Sequence, residues 1–162
     1  MLVPIYSCSQ MELHLAPGGL PKSRHLFLWT AKGKFRMHTT TSCPFCSPPA
    51  DVIVAKNALC YARKDRYPVA KGHLLVIPFR HVPDFFSLTN EEKYAIMTLV
   101  DECKLVIEEN SNPAGYNIGF NVGTAAGQTV MHCHCHVIPR YRGDTDNPRG
   151  GVRGVIPHKR EY

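Results

Sequence analysis

Apolar and polar positions follow two rhythms along this chain, and the change between them outlines a fold. Val52–Ala55 and Ala58–Arg63 read as short strands, and Leu74-Leu75-Val76-Ile77 as a buried strand stopped by Pro78. From Thr89 the apolar spacing lengthens to three and four residues. Tyr94, Met97, Val100, Cys103 and Ile107 then make one stripe suited to packing on a sheet. Thr89-Asn90-Glu91-Glu92 supplies a capping box at its start, since the Thr89 hydroxyl can accept from the Glu92 amide while the Glu92 side chain reaches back. Asn112-Pro113 and Gly115 end this helix, which is predicted over about 89–110. Tyr116–Val122 and Val130–Ile138 read as two further strands, separated by Gly123-Thr124-Ala125-Ala126-Gly127. Strands, one long helix and strands again predict an α+β fold, with an antiparallel sheet and the helix on one face.

The same pattern divides the chain into three parts. Residues 1–41 hold no periodicity, are broken by Pro17-Gly18-Gly19 and Pro21, and end in a polar Thr/Ser run. They are expected to be a poorly ordered N-terminal extension, with Met37 as an alternative start. Residues 42–140 form the domain. Residues 141–162, rich in Gly, Pro and Arg, are expected to be a loop-like tail.

Composition narrows the function classes. The length of 162 residues suits one domain with a proper core. No apolar run is long enough to cross a bilayer, and the start lacks the basic region and cleavage site of a secretory signal. The seven cysteines are an odd number, which leaves at least one thiol unpaired and argues for a reducing cytoplasm rather than a disulfide framework. The net charge of +6 sits at the ends: residues 1–40 carry five Lys/Arg against one acid, 41–139 eight against nine, and 140–162 six against three. With no basic, aromatic-laced stripe in the body, a dedicated nucleic-acid module is not indicated.

The chemistry concentrates in His132-Cys133-His134-Cys135-His136. In a strand, alternate side chains share a face, so the three imidazoles project together, about 6–7 Å from one to the next. Cys133, Cys135 and Val137 face the opposite way as small core residues. Three buried imidazoles need three sets of polar partners, which points to function rather than packing. Two chemistries suit such a face: a metal held by the histidines themselves, or nucleophilic attack by one neutral imidazole while its neighbours orient it and bind an anion. Asn121 and Gly127-Gln128-Thr129 lead into the segment, and a glycine turn followed by amide and hydroxyl donors suits phosphate oxygens.

Together with Gly72-His73-Leu74-Leu75-Val76-Ile77-Pro78 and His81, these motifs resemble the histidine-triad (HIT) superfamily, specifically its zinc-containing bacterial and archaeal type. The resemblance runs from about Cys43 to Arg140. It implies a HIT-like fold, a five-stranded antiparallel sheet with one long helix packed on it, and a nucleotide hydrolase. In that reading His134 is the nucleophile that attacks the α-phosphorus and forms a nucleotidyl-histidine which water then cleaves. His136 is the third histidine, near the phosphate. Gly127, Gln128 and Thr129 lie at phosphate or leaving-group positions, and Asn121 matches a nucleotide-contacting asparagine. Asp65, eight residues before His73, matches an acid that binds ribose hydroxyls, although its neighbours Arg66 and Tyr67 depart from the small apolar residues usual there. Implied substrates are dinucleoside polyphosphates and nucleoside phosphoramidates, and a homodimer is implied as the assembly. Nucleotidyl transfer or phosphorolysis, and a nucleotide-binding regulatory module with little turnover, are the alternatives.

Cys43-Pro44-Phe45-Cys46 has the spacing of a metal site or of a redox dithiol. Redox motifs open a helix, and Ser47-Pro48-Pro49 makes a continuing helix unfavourable, which favours zinc. The resemblance supplies the remaining two ligands, His81 and His132, for a closed structural Zn2+ site. His73 is either a partner of the triad or a packed residue at a strand start. In the tail, one or two of Arg140, Arg142, Arg149, Arg153, Lys159 and Arg160 are candidates to contact the polyphosphate or leaving group, the alternative being a solvated or dimer-contacting tail.

Overall fold

A computed structural model describes residues 43–161; the expected N-terminal extension, 1–41, lies outside them. Five strands form one sheet: β1 (Ile53–Lys56), β2 (Cys60–Lys64), β3 (Leu74–Pro78), β4 (Gly115–Phe120) and β5 (Cys135–Arg140). Their order is β1-β2-β3-β5-β4, and every neighbouring pair is antiparallel. Helix α1 (Asn90–Glu108) lies between β3 and β4 in the chain, as the pattern predicts. β2 starts two residues later than expected. The Asn57 side chain accepts from the amides of Leu59 (3.0 Å) and Cys60 (2.8 Å), so that Ala58 and Leu59 belong to a turn.

The capping box of α1 is formed in full. Thr89 Oγ1 accepts from the Glu92 amide at 3.2 Å and Glu92 Oε2 from the Thr89 amide at 2.9 Å. The buried Glu92 carboxylate also receives the Arg80 fork, Nε at 2.8 Å and Nη2 at 2.7 Å. That hydrogen bonding from Arg80 holds the Glu92 carboxyl below its ordinary range. Successive three-residue steps drift round a helix of 3.6 residues per turn, which carries Tyr94 and Met97 off the buried face. Ile96, Leu99, Val100, Cys103 and Ile107 face the sheet, while Tyr94 and Met97 are 76% and 44% exposed. The expected stripe was correct in its last three members and wrong in its first two.

Strand alternation sorts the core onto two faces. Cys60, Ala62, Leu74, Val76, Cys135 and Val137 pack with α1. Tyr61, Leu75 and Ile77 point the other way, under Phe45. His136 stands opposite both Leu75 and Gly119 in the ladder and so belongs to the face without a helix. Cys133, Cys135 and Val137 are buried on the α1 side, as alternation predicts.

Two expectations about the C-terminal half need correction. The strand predicted from Val130 begins only at Cys135. Its pairing with β3 stops at Val76–Cys135, because Pro78 has no N–H to offer and its carbonyl accepts from the His132 imidazole instead (2.9 Å). One backbone bond, from the Cys133 amide to the Val82 carbonyl (2.7 Å), anchors the preceding segment. The tail, expected as loop, contains two 3-10 turns, Gly151–Val155 and Pro157–Lys159. Arg153 ties them together, donating to the carbonyls of Arg160 (3.2 Å) and Lys159 (3.0 Å). Gly150, at φ +83°, packs so tightly on the Arg160 backbone that no Cβ would fit.

Candidate active site

The irregular lead into β5 sends His132 away from the other two triad residues. Its Nε2 donates to the Pro78 carbonyl at 2.9 Å, which leaves the Nδ1 lone pair free. Burial pushes its pKa down and keeps the ring neutral. Nδ1 lies 3.3 Å from Cys43 Sγ and 3.6 Å from Cys46 Sγ, and Cys46 Sγ lies 3.2 Å from His81 Nδ1. All four donor atoms lie within 4.8 Å of one another. Zinc bonds to sulfur and nitrogen imply tetrahedron edges of about 3.5 Å, so this set fits that ion. The carbonyl behind His132 is the partner that a metal-bound imidazole uses to set its tautomer. The cysteine pair occupies a single turn, with the Cys46 amide 3.2 Å from the Cys43 carbonyl, and no helix follows it directly.

His134 is held by the chain itself. Its Nδ1 lies 2.8 Å from the His132 carbonyl, an acceptor, so Nδ1 carries the proton and Nε2 keeps a lone pair. The ring is 8% exposed, with Phe45 edge-on at 5.3 Å and His136 at 5.1 Å between centroids.

His136 is set by a longer relay. The Val69 amide donates to His73 Nδ1 (3.4 Å), so His73 Nε2 is the protonated nitrogen and donates to His136 Nδ1 (3.0 Å). The His136 proton then sits on Nε2, which is buried and has no protein partner. Burial, followed by the neighbouring His134 and His73, pushes His136 down to about 4, against a weaker pull from Asp65. The ring is therefore a neutral donor at pH 7, and it lines a cavity of about 300 Å3. The triad thus divides. Among the described residues, His132 belongs to one potential metal cluster, His136 to another with Asp65 and His73, and His134 to neither, so the three rings do not converge on one ion.

The remaining expected residues lie outside the strands, with Asn121 after β4, residues 127–129 before β5 and Asp65 after β2. Asn121 is half-buried and lines the same cavity. Gly127 and Thr129 are exposed in the preceding loop. Gln128 is buried, and its amide is committed to the loop: it donates to the carbonyls of Pro83 (2.5 Å) and Val130 (3.0 Å) and accepts from the Gly123 amide (2.8 Å). Asp65 accepts from the Tyr67 amide at 2.8 Å and lies 3.5 Å from His73 Nδ1. It lines a second cavity, of about 630 Å3, which shares Val69 and His73 with the first. Sequence reasoning left His73 undecided and passed over Phe45, whose signal was its place between two cysteines. Of the expected tail cations, Arg140 is spent on Asp144 (2.8 and 2.7 Å) and Asn117 (2.6 Å), and Arg153 on the tail itself.

A five-stranded antiparallel sheet with one helix, and a split histidine triad on its open face, define a class of protein that comparison identifies. The HIT domain family model matches residues 49–143, more than half the chain. The chain belongs to the HIT family. It is 38% identical over 107 residues to an AP-4-A phosphorylase of Mycobacterium tuberculosis (65% of this chain, 55% of that protein). It is 38% identical over 97 residues to the asymmetrical bis(5'-nucleosyl)-tetraphosphatase of Schizosaccharomyces pombe (60% of this chain, 53% of that protein). The matched segment thus spans about half the length of these relatives. Among solved structures, a Zn-bound histidine triad family protein from Mycobacterium smegmatis superposes with a TM-score of 0.59 at 31% identity, covering 65% of this chain and 80% of that one.

Proposed function

We propose that this chain is a nucleotide hydrolase or transferase of the HIT type, acting at the α-phosphorus of dinucleoside polyphosphates or nucleoside phosphoramidates. The observation that carries the reading is the pair of fixed tautomers: a lone pair on His134 Nε2 beside an unpartnered N–H on His136 Nε2. The names of the relatives, a phosphorylase and a tetraphosphatase of dinucleoside polyphosphates, agree with it.

In this mechanism His134 Nε2 attacks the α-phosphorus, an N–P bond forms, and the bond to the leaving group breaks. The positive charge gained by the ring is met by the His132 carbonyl at Nδ1. His136 donates through Nε2 to a phosphate oxygen, so its buried hydrogen is satisfied when substrate binds. Water then attacks the phosphorus, the N–P bond pair returns to His134 Nε2 and the water's proton passes to solvent; inorganic phosphate in place of water makes the same site a phosphorylase. Asn121, Gly127 and Thr129 surround the phosphates, and Asp65 holds the ribose. Gln128 acts from behind, by shaping the loop.

The Cys43, Cys46, His81 and His132 cluster holds a structural Zn2+, because four protein donors leave no open position for water. A homodimer is the proposed assembly, supported by exposed Tyr94, Met97 and Leu105 on α1 and Ile118 on the edge strand β4. A reducing, cytoplasmic setting suits the six free thiols among the described residues. No helix among them is long and apolar enough to cross a membrane.

The test is turnover of a panel of nucleotide conjugates by wild type and by His134→Asn. The variant is expected to lose roughly a thousandfold or more in kcat, as removal of a nucleophile does. Activity within a few-fold of wild type would reject the mechanism, and products formed with and without inorganic phosphate separate hydrolysis from phosphorolysis.

A further inference from the structure

Phe45 occupies a place in the molecule that metal binding alone does not explain. It lies between the metal-site cysteines Cys43 and Cys46, in a turn whose other residues are exposed or half-buried, yet it is itself only 8% exposed. A C-x-x-C turn needs its two middle residues only to close the turn, and small solvated side chains would serve the metal equally well. Here one of them carries a large ring turned inward, onto the sheet face that has no helix.

That ring reaches both the metal ligand and the nucleophile. Its centroid lies 5.9 Å from that of His132 and 5.3 Å from that of His134, with interplanar angles of 77° and 65°. Both are edge-to-face arrangements, which aromatic rings favour over direct stacking. Beneath it lie Tyr61, Leu75 and Ile77, and the buried Tyr61 hydroxyl donates to the Phe45 carbonyl at 2.8 Å. Phe45 is therefore gripped from three sides, by a cysteine on either hand and by Tyr61 from β2.

The nucleophile needs such a neighbour. The bond from His134 Nδ1 to the His132 carbonyl (2.8 Å) aims one edge of the imidazole. A carbonyl accepts over a broad range of directions, so this bond alone leaves the ring able to rock. Its ring neighbours among the described residues are His136, at 5.1 Å, and Phe45. Attack through Nε2 tolerates little error in aim, since about 1 Å of misplacement can cost roughly a hundredfold in rate. Two of these restraints issue from the metal cluster: the carbonyl belongs to His132, and the phenyl ring stands between Cys43 and Cys46.

We propose that Phe45 is a positioning residue for the nucleophile. Its ring holds the His134 imidazole in the orientation that presents the Nε2 lone pair, and the metal-site turn and Tyr61 hold Phe45 in place. The inference rests on the reading of His134 as the nucleophile.

The experiment uses the full-length protein with its zinc, its histidines labelled with the heavy nitrogen isotope. By NMR, a ring locked in one tautomer shows a protonated and a bare nitrogen at well-separated positions, whereas exchange between tautomers draws the two together. The His134 pair is the one missing from His134→Asn. Spectra at mildly alkaline pH, zinc content and kinetics on a dinucleoside tetraphosphate are compared for wild type, Phe45→Ala and Tyr61→Phe. In Phe45→Ala the two His134 positions are expected to approach each other while those of His132 stay apart. Its kcat is expected to fall about 10–100-fold, with KM within about threefold of wild type and about one zinc kept per chain. Tyr61→Phe removes only the grip on the Phe45 carbonyl, and is expected to shift the same way with a loss of about threefold to tenfold. Should Phe45→Ala lose its zinc or its fold, Phe45→Leu, which keeps apolar bulk without the flat ring, and Tyr61→Phe are read by the same criteria. A His134 pair as well separated in the variants as in wild type, or already averaged in wild type, would overturn the proposal. So would a loss confined to KM, the mark of a residue that only lines the substrate. A locked pair that Phe45→Ala releases, in a wild type that turns over no nucleotide conjugate, would sink the enzymatic reading and leave the hold of Phe45 on His134 standing.

Discussion

His132 and His136 are the same side chain four residues apart on one short segment, and the protein holds them in opposite ways. His132 gives its Nε2 hydrogen to the Pro78 carbonyl and turns a lone pair towards two thiols. His136 gives its Nδ1 lone pair to His73 and turns a hydrogen towards a cavity. Between them His134 gives its Nδ1 hydrogen to a backbone carbonyl and keeps a lone pair on Nε2. An imidazole's role is thus set by the partner of its other nitrogen. A carbonyl makes it a ligand or a nucleophile, and an N–H donor makes it an acid or an anion contact.

The sharpest way to break this contrast is on the metal side. Cys43→Ser/Cys46→Ser is expected to take bound zinc from about one per chain to almost none and to lower the thermal midpoint by roughly 10 °C or more. Metal analysis and calorimetry check this, and a variant that kept its zinc would show the ion to be held elsewhere. On the other side, His73→Asn removes the donor that sets the His136 tautomer. A loss of about 10–100-fold in kcat with a small change in KM is expected, the size typical of outer partners in such sites. A structural role alone would lower stability without moving kcat.

A third prediction concerns pH. His136 sits at about 4 in the folded chain against an ordinary 6.5, so between these values the unfolded chain binds the extra proton. Its contribution is complete above pH 6.5 and declines as pH falls from 6.5 towards 4. His73, lowered by burial, slopes the same way. Denaturant unfolding from pH 4.5 to 7.5 should therefore give a shallower slope for His136→Asn than for wild type; identical slopes would contradict the assignment. The smallest effect is a control on the far face of the sheet. Thr89→Ala removes the α1 cap and should cost about 1 kcal/mol, with zinc content and turnover unchanged.

Much of this was legible in the chain because it depends on near neighbours. The capping box at Thr89 and Glu92, the burial of Cys133, Cys135 and Val137, and the CxxC turn closed off by prolines are local patterns that local forces satisfy. Alternation put His134 and His136 side by side for the same reason. What was misread had a distant cause. The last strand starts late because Pro78 spends its carbonyl on His132. The Arg-rich tail meets the cavity beside His136 through Val152 and Val155, since Arg140 and Arg153 are engaged within the protein.

By itself, the order of residues determined the α+β architecture, the start of α1, and the placing of histidine and cysteine donors on two short motifs. Only the tertiary structure decided which nitrogen of each histidine is occupied, that His73 governs His136, and that the tail lines the cavity beside it. The physical reason is range. Periodicity and capping act over a few residues and leave a written trace, whereas a hydrogen-bond partner 63 or 54 positions away is selected by how the strands and loops meet in space.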